Sequence, residues 1–228
     1  MKKIVLLGFF ILLNACVENK PKNRYLPDSS GKINHLSVVM PEKSWNGFLG
    51  NKLRDLLLAP YEGLPFDEPQ FSLNFIPEKV FTGFARNSRN IIWFVNDSIG
   101  RFQLSKNMMA KPQLVAKLSG EDQEVQAFYL EENVELLRAS ISEIERTEKR
   151  RRIRKSPSKN KELSERFQVS TTYPSAYKIF KDTLNFTWIQ KPIQKGHMNI
   201  IAYALPLNSL KGNIKKRITT IRDSIGKA

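Results

Sequence analysis

The stretch Leu36–Pro60, "LSVVMPEKSWNGFLGNKLRDLLLAP", decides the fold class. Leu36 to Met40 is a short apolar run closed by Pro41, which predicts a strand. Trp45, Phe48, Leu49, Leu53, Leu56 and Leu57 then recur at helical spacing, so one helical face is buried. Gly47 and Gly50 weaken that helix unless they permit close packing, and Pro60 ends it. A strand followed directly by an amphipathic helix places the chain in a mixed α and β class.

The downstream sequence extends this reading. "PYEGLPFDEP" (60–69) is a Pro-rich loop. In "QFSLNF" (70–75), Phe71, Leu73 and Phe75 alternate with Ser72 and Asn74, the pattern of a half-buried strand. "NIIWFV" (90–95) is continuously apolar and predicts a central strand. "RFQLS" (101–105) adds a short one. Leu130, Val134, Leu137, Ile141 and Ile144 then recur at a period near 3.5, a long amphipathic helix too short for a coiled coil. Two further strands follow, "LNFTWI" with Leu184, Phe186 and Trp188 on its inner face, and the buried run "NIIAYAL". The last segment predicts a helix with Leu210, Ile214, Ile218, Ile221 and Ile225 inward.

The expected fold is α+β, an antiparallel or mixed sheet packed by amphipathic helices. The expected organisation is a signal peptide over 1–15, a tether over 16–32 and a first α+β unit over 33–118. A long helix with a basic segment over 119–165 and a second unit over 166–228 complete it. Pro41, Ser44, Gly47 and Leu53 match Pro206, Ser209, Gly212 and Ile218, each pair 165 positions apart. That spacing fits an internal duplication with a truncated second unit. It equally fits a recurring junction, because Pro suits the first turn of a helix.

The N-terminus gives an address. Met1-Lys2-Lys3 is basic, and Ile4 to Leu13 is apolar but too short to span a bilayer. Leu13-Asn14-Ala15-Cys16 then resembles a bacterial lipobox, in which cleavage after Ala15 leaves Cys16 to be acylated. Cys16 is the only cysteine. Its acylation would leave no thiol for disulfides, metal or nucleophilic attack, and two or more acyl chains anchor a protein stably. The expected location is the bacterial cell envelope, lipid-anchored and facing the periplasm. The bland alternative is an ordinary signal peptide with a chance cysteine.

The 228 residues hold 37 Lys and Arg against 22 Asp and Glu, a net charge of +15 that becomes +13 without Lys2 and Lys3. Such a balance suggests an anionic partner. The charge peaks in "RTEKRRRIRKSPSKNK" (146–161), where Arg150, Arg151, Arg152, Arg154 and Lys155 are the candidate contacts to an anionic lipid or glycan. A basic residue near such a surface contributes about 1 kcal/mol. The competing reading is a solvated helix end, since cations suit a helix C-terminus. Nucleic acid is not expected, because no aromatic residue separates these cations.

Other constellations are sparse. His35 and His197 lack further ligands, so neither a metal nor a cofactor is expected. No G-x-S-x-G elbow or phosphate-binding glycine loop is present. Asp67 and Glu68, between two prolines, could do acid–base work or simply stiffen a connector. Trp45, Trp93 and Trp188 read as core residues rather than a ligand groove. Two functions follow: a non-enzymatic envelope component binding a protein or anionic polymer, or a hydrolase or transferase of envelope glycan or lipid using Asp67 and Glu68.

The lipobox, "YLPDSSGKINHLSVVM", "WNGFLGNKLRDLLLAPYEGLPFDEPQFSL" and "RNIIWF" together resemble an uncharacterised family of Bacteroidota lipoproteins, catalogued only as a domain of unknown function. The resemblance runs from the lipobox to the last helix and is strongest over Leu26 to Phe94. It implies an envelope location and further C-terminal residues beyond Ala228, and it brings no catalytic residues.

Overall fold

The computed structural model describes residues 25–226 apart from 65, 207, 208, 210 and 211. The signal peptide, Ala15, Cys16, the start of the tether and Leu210 lie outside the described residues.

β1 (His35–Met40) forms as expected and ends at Pro41. The single predicted helix is two, α1 (Glu42–Trp45) and α2 (Phe48–Leu57), broken at Asn46 and Gly47. The break explains Gly50. A Cβ there would lie 2.0 Å from the Trp45 carbonyl oxygen, so only glycine lets α2 turn back against the end of α1. α2 buries Leu49, Leu53 and Leu57 and leaves Phe48 exposed.

β2 (Ser72–Pro77), β3 (Asn90–Asn96), β4 (Arg101–Lys106) and β5 (Leu114–Gly120) complete a mixed five-stranded sheet of order β2-β1-β3-β5-β4. β1 pairs parallel with β2 and β3, and β3 pairs parallel with β5. Only edge strand β4 runs antiparallel, against β5. β3 is thus central, as its apolar run predicts. β5 is a buried strand that the sequence reading does not contain. "LVAKLSG" is short, and Lys117 interrupts its apolar run. Pro77 sits at the end of edge strand β2, where a missing N–H costs least.

α3 (Gln123–Lys155) lies over one face of this sheet beside α2. Its N-cap is Asp122, whose carboxylate accepts from the Val125 N–H at 2.8 Å. Ala127, Leu130, Val134, Leu137 and Ile141 share one core with Leu36, Val38, Met40, Ile92, Phe94, Ala116 and Leu118. α3 therefore belongs to the first unit rather than to a separate segment over 119–165. The opposite face is thinner, with Val39, Ile76, Phe81, Ile91 and Val115 covered by short 3-10 turns at Glu78–Val80 and Gly83–Asn87.

The fold begins before residue 33. Lys111 N–H donates to Pro27 O, Ser29 N–H to Lys111 O, Ser30 N–H to Asn87 O and Arg89 N–H to Ser30 O. Residues 27–31, assigned to the tether by composition, are stitched to the sheet.

The second unit holds α4 (Glu162–Phe167) and the antiparallel strands β6 (Lys178–Thr183), β7 (Phe186–Ile193) and β8 (Gly196–Tyr203). The predicted inner face of β7 is reversed: Thr187 and Ile189 are buried, while Leu184 is 84% exposed. Leu163 of α4 packs with Ile189 and Tyr173, and that contact selects the face. β8 is not the predicted buried strand, because it is an edge with one face covered, and Met198 and Ile201 are exposed. α5 (Ile214–Gly226) also departs from prediction, with Ile214 and Ile218 exposed. It meets the first unit through polar contacts, Lys215 Nζ to Glu62 at 3.0 Å and Arg222 to Gly63 O. β1 is paired parallel on both sides and β8 antiparallel on one, so the two strand–Pro–helix junctions sit in different topologies.

Candidate functional site

The first region to consider is the basic end of α3. The inward stripe Val134, Leu137 and Ile141 continues along the helix as Glu145 and Glu148, so two carboxylates enter the core. They are 3% and 2% exposed, and Arg89 between them is 1% exposed. Arg89 Nε donates to Glu145 at 2.6 Å, and a second guanidinium nitrogen donates to the other Glu145 oxygen at 3.1 Å. The Asn34 N–H also reaches Glu145, at 2.8 Å. Arg151 binds Glu148 through two nitrogens at 2.6 and 2.9 Å, and Arg152 Nε reaches it at 2.7 Å. Two of the predicted surface cations are therefore committed to a buried carboxylate.

This arrangement fixes where the N-terminal chain joins the fold. Gly31 O accepts from Arg152 at 2.8 Å and from Arg89 at 3.3 Å, and Lys32 O accepts from Arg89 at 2.8 Å. The chain leading back to Cys16 thus leaves the fold beside the cationic end of α3. Arg150, Arg154 and Lys155 are exposed there, with no ion pair among the described residues.

Hydrogen bonds from Arg151, then Arg152, outweigh burial and hold the Glu148 carboxyl at about 2, against an ordinary 4.5. A depressed carboxyl stabilises the fold above its unfolded value and loses that contribution as the pH falls through the folded one. The contribution is about 3 kcal/mol, lost between pH 4.5 and 2. Urea unfolding across that range should show a shallower pH slope for Glu148→Gln than for the parent. Equal slopes would remove Glu148 from the account.

The second region is a cleft at the other end of α3. β1, β3 and β5 run parallel, and their carboxyl ends lie together. From β1 the chain crosses to β2 on one side and next builds β3 on the other. Ligands of open α/β sheets bind at such reversals. Here a cleft of about 320 Å³ opens between Pro41 and Ser44, Phe94 and Asn96, and the Glu121–Gln126 turn into α3, with Glu78 at its rim. Glu78, Glu121, Asp122 and Glu124 line it, and no lysine or arginine does. Gln126 Nε2 is bound to Val95 O at 3.1 Å, which leaves its amide oxygen as an acceptor.

A family model described as Domain of unknown function (DUF8532) matches residues 29–154, more than half of the chain. The chain belongs to that family. The match spans β1 to the last turn of α3, so the DUF8532 region contains both the clamp around Arg89 and the cleft. A second model, Domain of unknown function (DUF4837), matches residues 156–228, the second unit. No curated protein and no solved structure matches the chain.

The remaining predicted residues do not join either region. Asp67 and Glu68 are exposed on the loop before β2 and do not line the cleft. His35 opens β1 in the DUF8532 region and His197 lies on β8. No group of three or more His, Cys, Asp or Glu among the described residues is placed to hold a metal. Trp45 and Trp93 pack against the cores on the two faces of the DUF8532 sheet, and Trp45 stacks on Phe75 at 5.1 Å. No helix among the described residues is long and apolar enough to cross a membrane. Sequence reading missed Arg89 and Glu145. Their signal was the continuation of the inward stripe from Leu137 and Ile141 into acids, beside an arginine opening the central strand.

Proposed function

We propose that this chain is a lipid-anchored envelope protein with a non-enzymatic binding role, held by acylated Cys16 with its cationic end toward the lipid and its cleft turned away. The observation that carries the reading is the pair of hydrogen bonds that Gly31 O accepts from Arg152 and Arg89. It puts the start of the fold and the exposed Arg150, Arg154 and Lys155 at one end. Pro27, the first residue bonded to the fold, lies eleven positions after Cys16, a reach of at most about 40 Å when extended. α3 has 33 residues and so runs about 50 Å from the cations to the cleft. An anchor at one end and an acidic cleft at the other give the molecule a polarity suited to receiving a ligand from the aqueous side.

The test is binding of the full chain to vesicles with and without anionic lipid across a salt series. Arg150→Gln with Arg154→Gln should weaken binding by about 2 kcal/mol at low salt, roughly 30-fold. Arg151 and Arg152 are left unchanged because they hold Glu148. Binding that is unaltered by the double change and insensitive to salt would sink the electrostatic part of the reading. Labelled fatty acid retained by Cys16→Ser would sink the anchor.

A further inference from the structure

We propose that the free edge of β8 takes up an extended, acidic segment of a partner protein, which adds to β6, β7 and β8 as a further strand. This edge is separate from the cleft and from the cations of α3. The sheet edges among the described residues differ in how they are guarded. β2 carries Pro77, and β4 has Arg101 and Lys106 at its two ends. β6 carries Lys178, Lys181 and Asp182 and is broken by a bulge between Ile179 and Lys181. Proline, charge and bulges are the devices that keep an edge from pairing. β8, "GHMNIIAY", has none of them. Its register against β7 is unbroken over 8 residues, with no Lys, Arg, Asp, Glu or Pro.

The backbone shows which groups are offered. Ala204 N–H donates to Asn185 O at 3.1 Å, and bonds to the neighbouring strand alternate along an antiparallel pair. Even-numbered residues of β8 therefore bond β7, while His197, Asn199, Ile201 and Tyr203 turn N–H and C=O outward. None of these outward groups is bonded among the described residues.

Apolar side chains stand beside the edge. Met198 and Ile201 are 48% and 39% exposed. On the face away from α4, Trp188 lies opposite Ile201, and Phe180 packs edge-on to Trp188 at 4.7 Å. Trp188 Nε1 and Gln190 Nε2 both donate to Asn199 Oδ1, at 2.9 and 3.2 Å, so the face is held in one arrangement. An added strand gains affinity from backbone bonds and selectivity from alternate side chains.

Charge names the occupant. Residues 156–228 hold 13 Lys and Arg against 4 Asp and Glu. Lys191 sits opposite Met198, and Lys195 is in the turn before Gly196. Of the acids, Asp182 is bound by Arg166 and Asp223 by Arg222, and Glu162 and Glu165 lie on α4. A second copy would set like charge against like, whereas a segment with Asp or Glu flanking its apolar residues is attracted.

Fluorescence anisotropy tests this on the full chain with three labelled, end-capped peptides, EVTVTVTVE, KVTVTVTVK and EVPVPVPVE. The first should bind saturably and the second about tenfold or more weakly. The third should not bind, since proline cannot donate to the ladder. Ile201→Pro removes one outward N–H and no bond to β7, and should weaken the first peptide by about tenfold or more. Lys191→Gln with Lys195→Gln leaves the backbone untouched and should weaken it by about threefold or more. A lysine peptide that binds as tightly overturns the acidic partner. No saturable binding of the first peptide in the millimolar range overturns the inference, as does binding indifferent to either change. A chain that sediments as a dimer until Ile201→Pro is introduced places a second copy on the edge and overturns it as well.

Discussion

Arg89→Met is expected to lower the unfolding free energy of the chain by about 3–5 kcal/mol, measured by urea denaturation at pH 7. The magnitude follows from what remains. Glu145 and Glu148 are 3% and 2% exposed, and without the guanidinium Glu145 keeps only neutral donors. A buried carboxylate stripped of its cation costs far more than the pair itself contributes. Arg89 also donates to Gly31 O and Lys32 O, so the first described residues should loosen with it. Adding Glu145→Leu to Arg89→Met should recover a large part of the loss, because the unpaired charge is gone. A double variant as unstable as the single one would assign the cost to packing instead.

Leu137→Ala should cost about 2–5 kcal/mol by the same measurement. Leu137 is fully buried in the middle of α3, in the core shared with β1, β3 and β5. Its removal takes away transfer free energy and leaves a cavity that a central helix position cannot collapse. Leu136, one residue earlier, is exposed, and Leu136→Ala should change stability by no more than about 0.5 kcal/mol. Equal effects from the two would mean that α3 is not seated on the sheet as described.

The first unit was legible where one face decides burial. Continuous apolar residues placed "NIIWFV" at the centre of the sheet, and the 3.5 period drew α3 correctly through Ile141. The reading stopped where hydrophobicity stopped being the inward signal. Glu145 and Glu148 occupy the same stripe, which is tolerable because Arg151 and Arg152 hold Glu148 and the distant Arg89 pairs with Glu145. No local pattern reports a partner 56 positions away. The second unit misled the same logic in the other direction. Its aromatic and β-branched residues look like core, yet α4 covers one face of β6, β7 and β8, and alternate residues stay in solvent. The site shows both limits. The cations at 150–155 were visible as a run, but which of them are spent on Glu148 was not. The cleft could not be seen at all, because Ser44, Asn96 and Gln126 meet only through the parallel register of β1, β3 and β5.

The seam at residues 27–34 also has a mechanical meaning. Tension applied through the N-terminal chain would arrive first at the backbone bonds of Ser29, Ser30 and Lys111 and at the guanidinium bonds to Gly31 and Lys32. These tie residues 29–32 to the loop before β5, to the residue that precedes β3 and to α3, so the load is divided before it reaches β1. Arg89 then acts as a rivet: the five-stranded sheet would feel a pull only after the seam had torn.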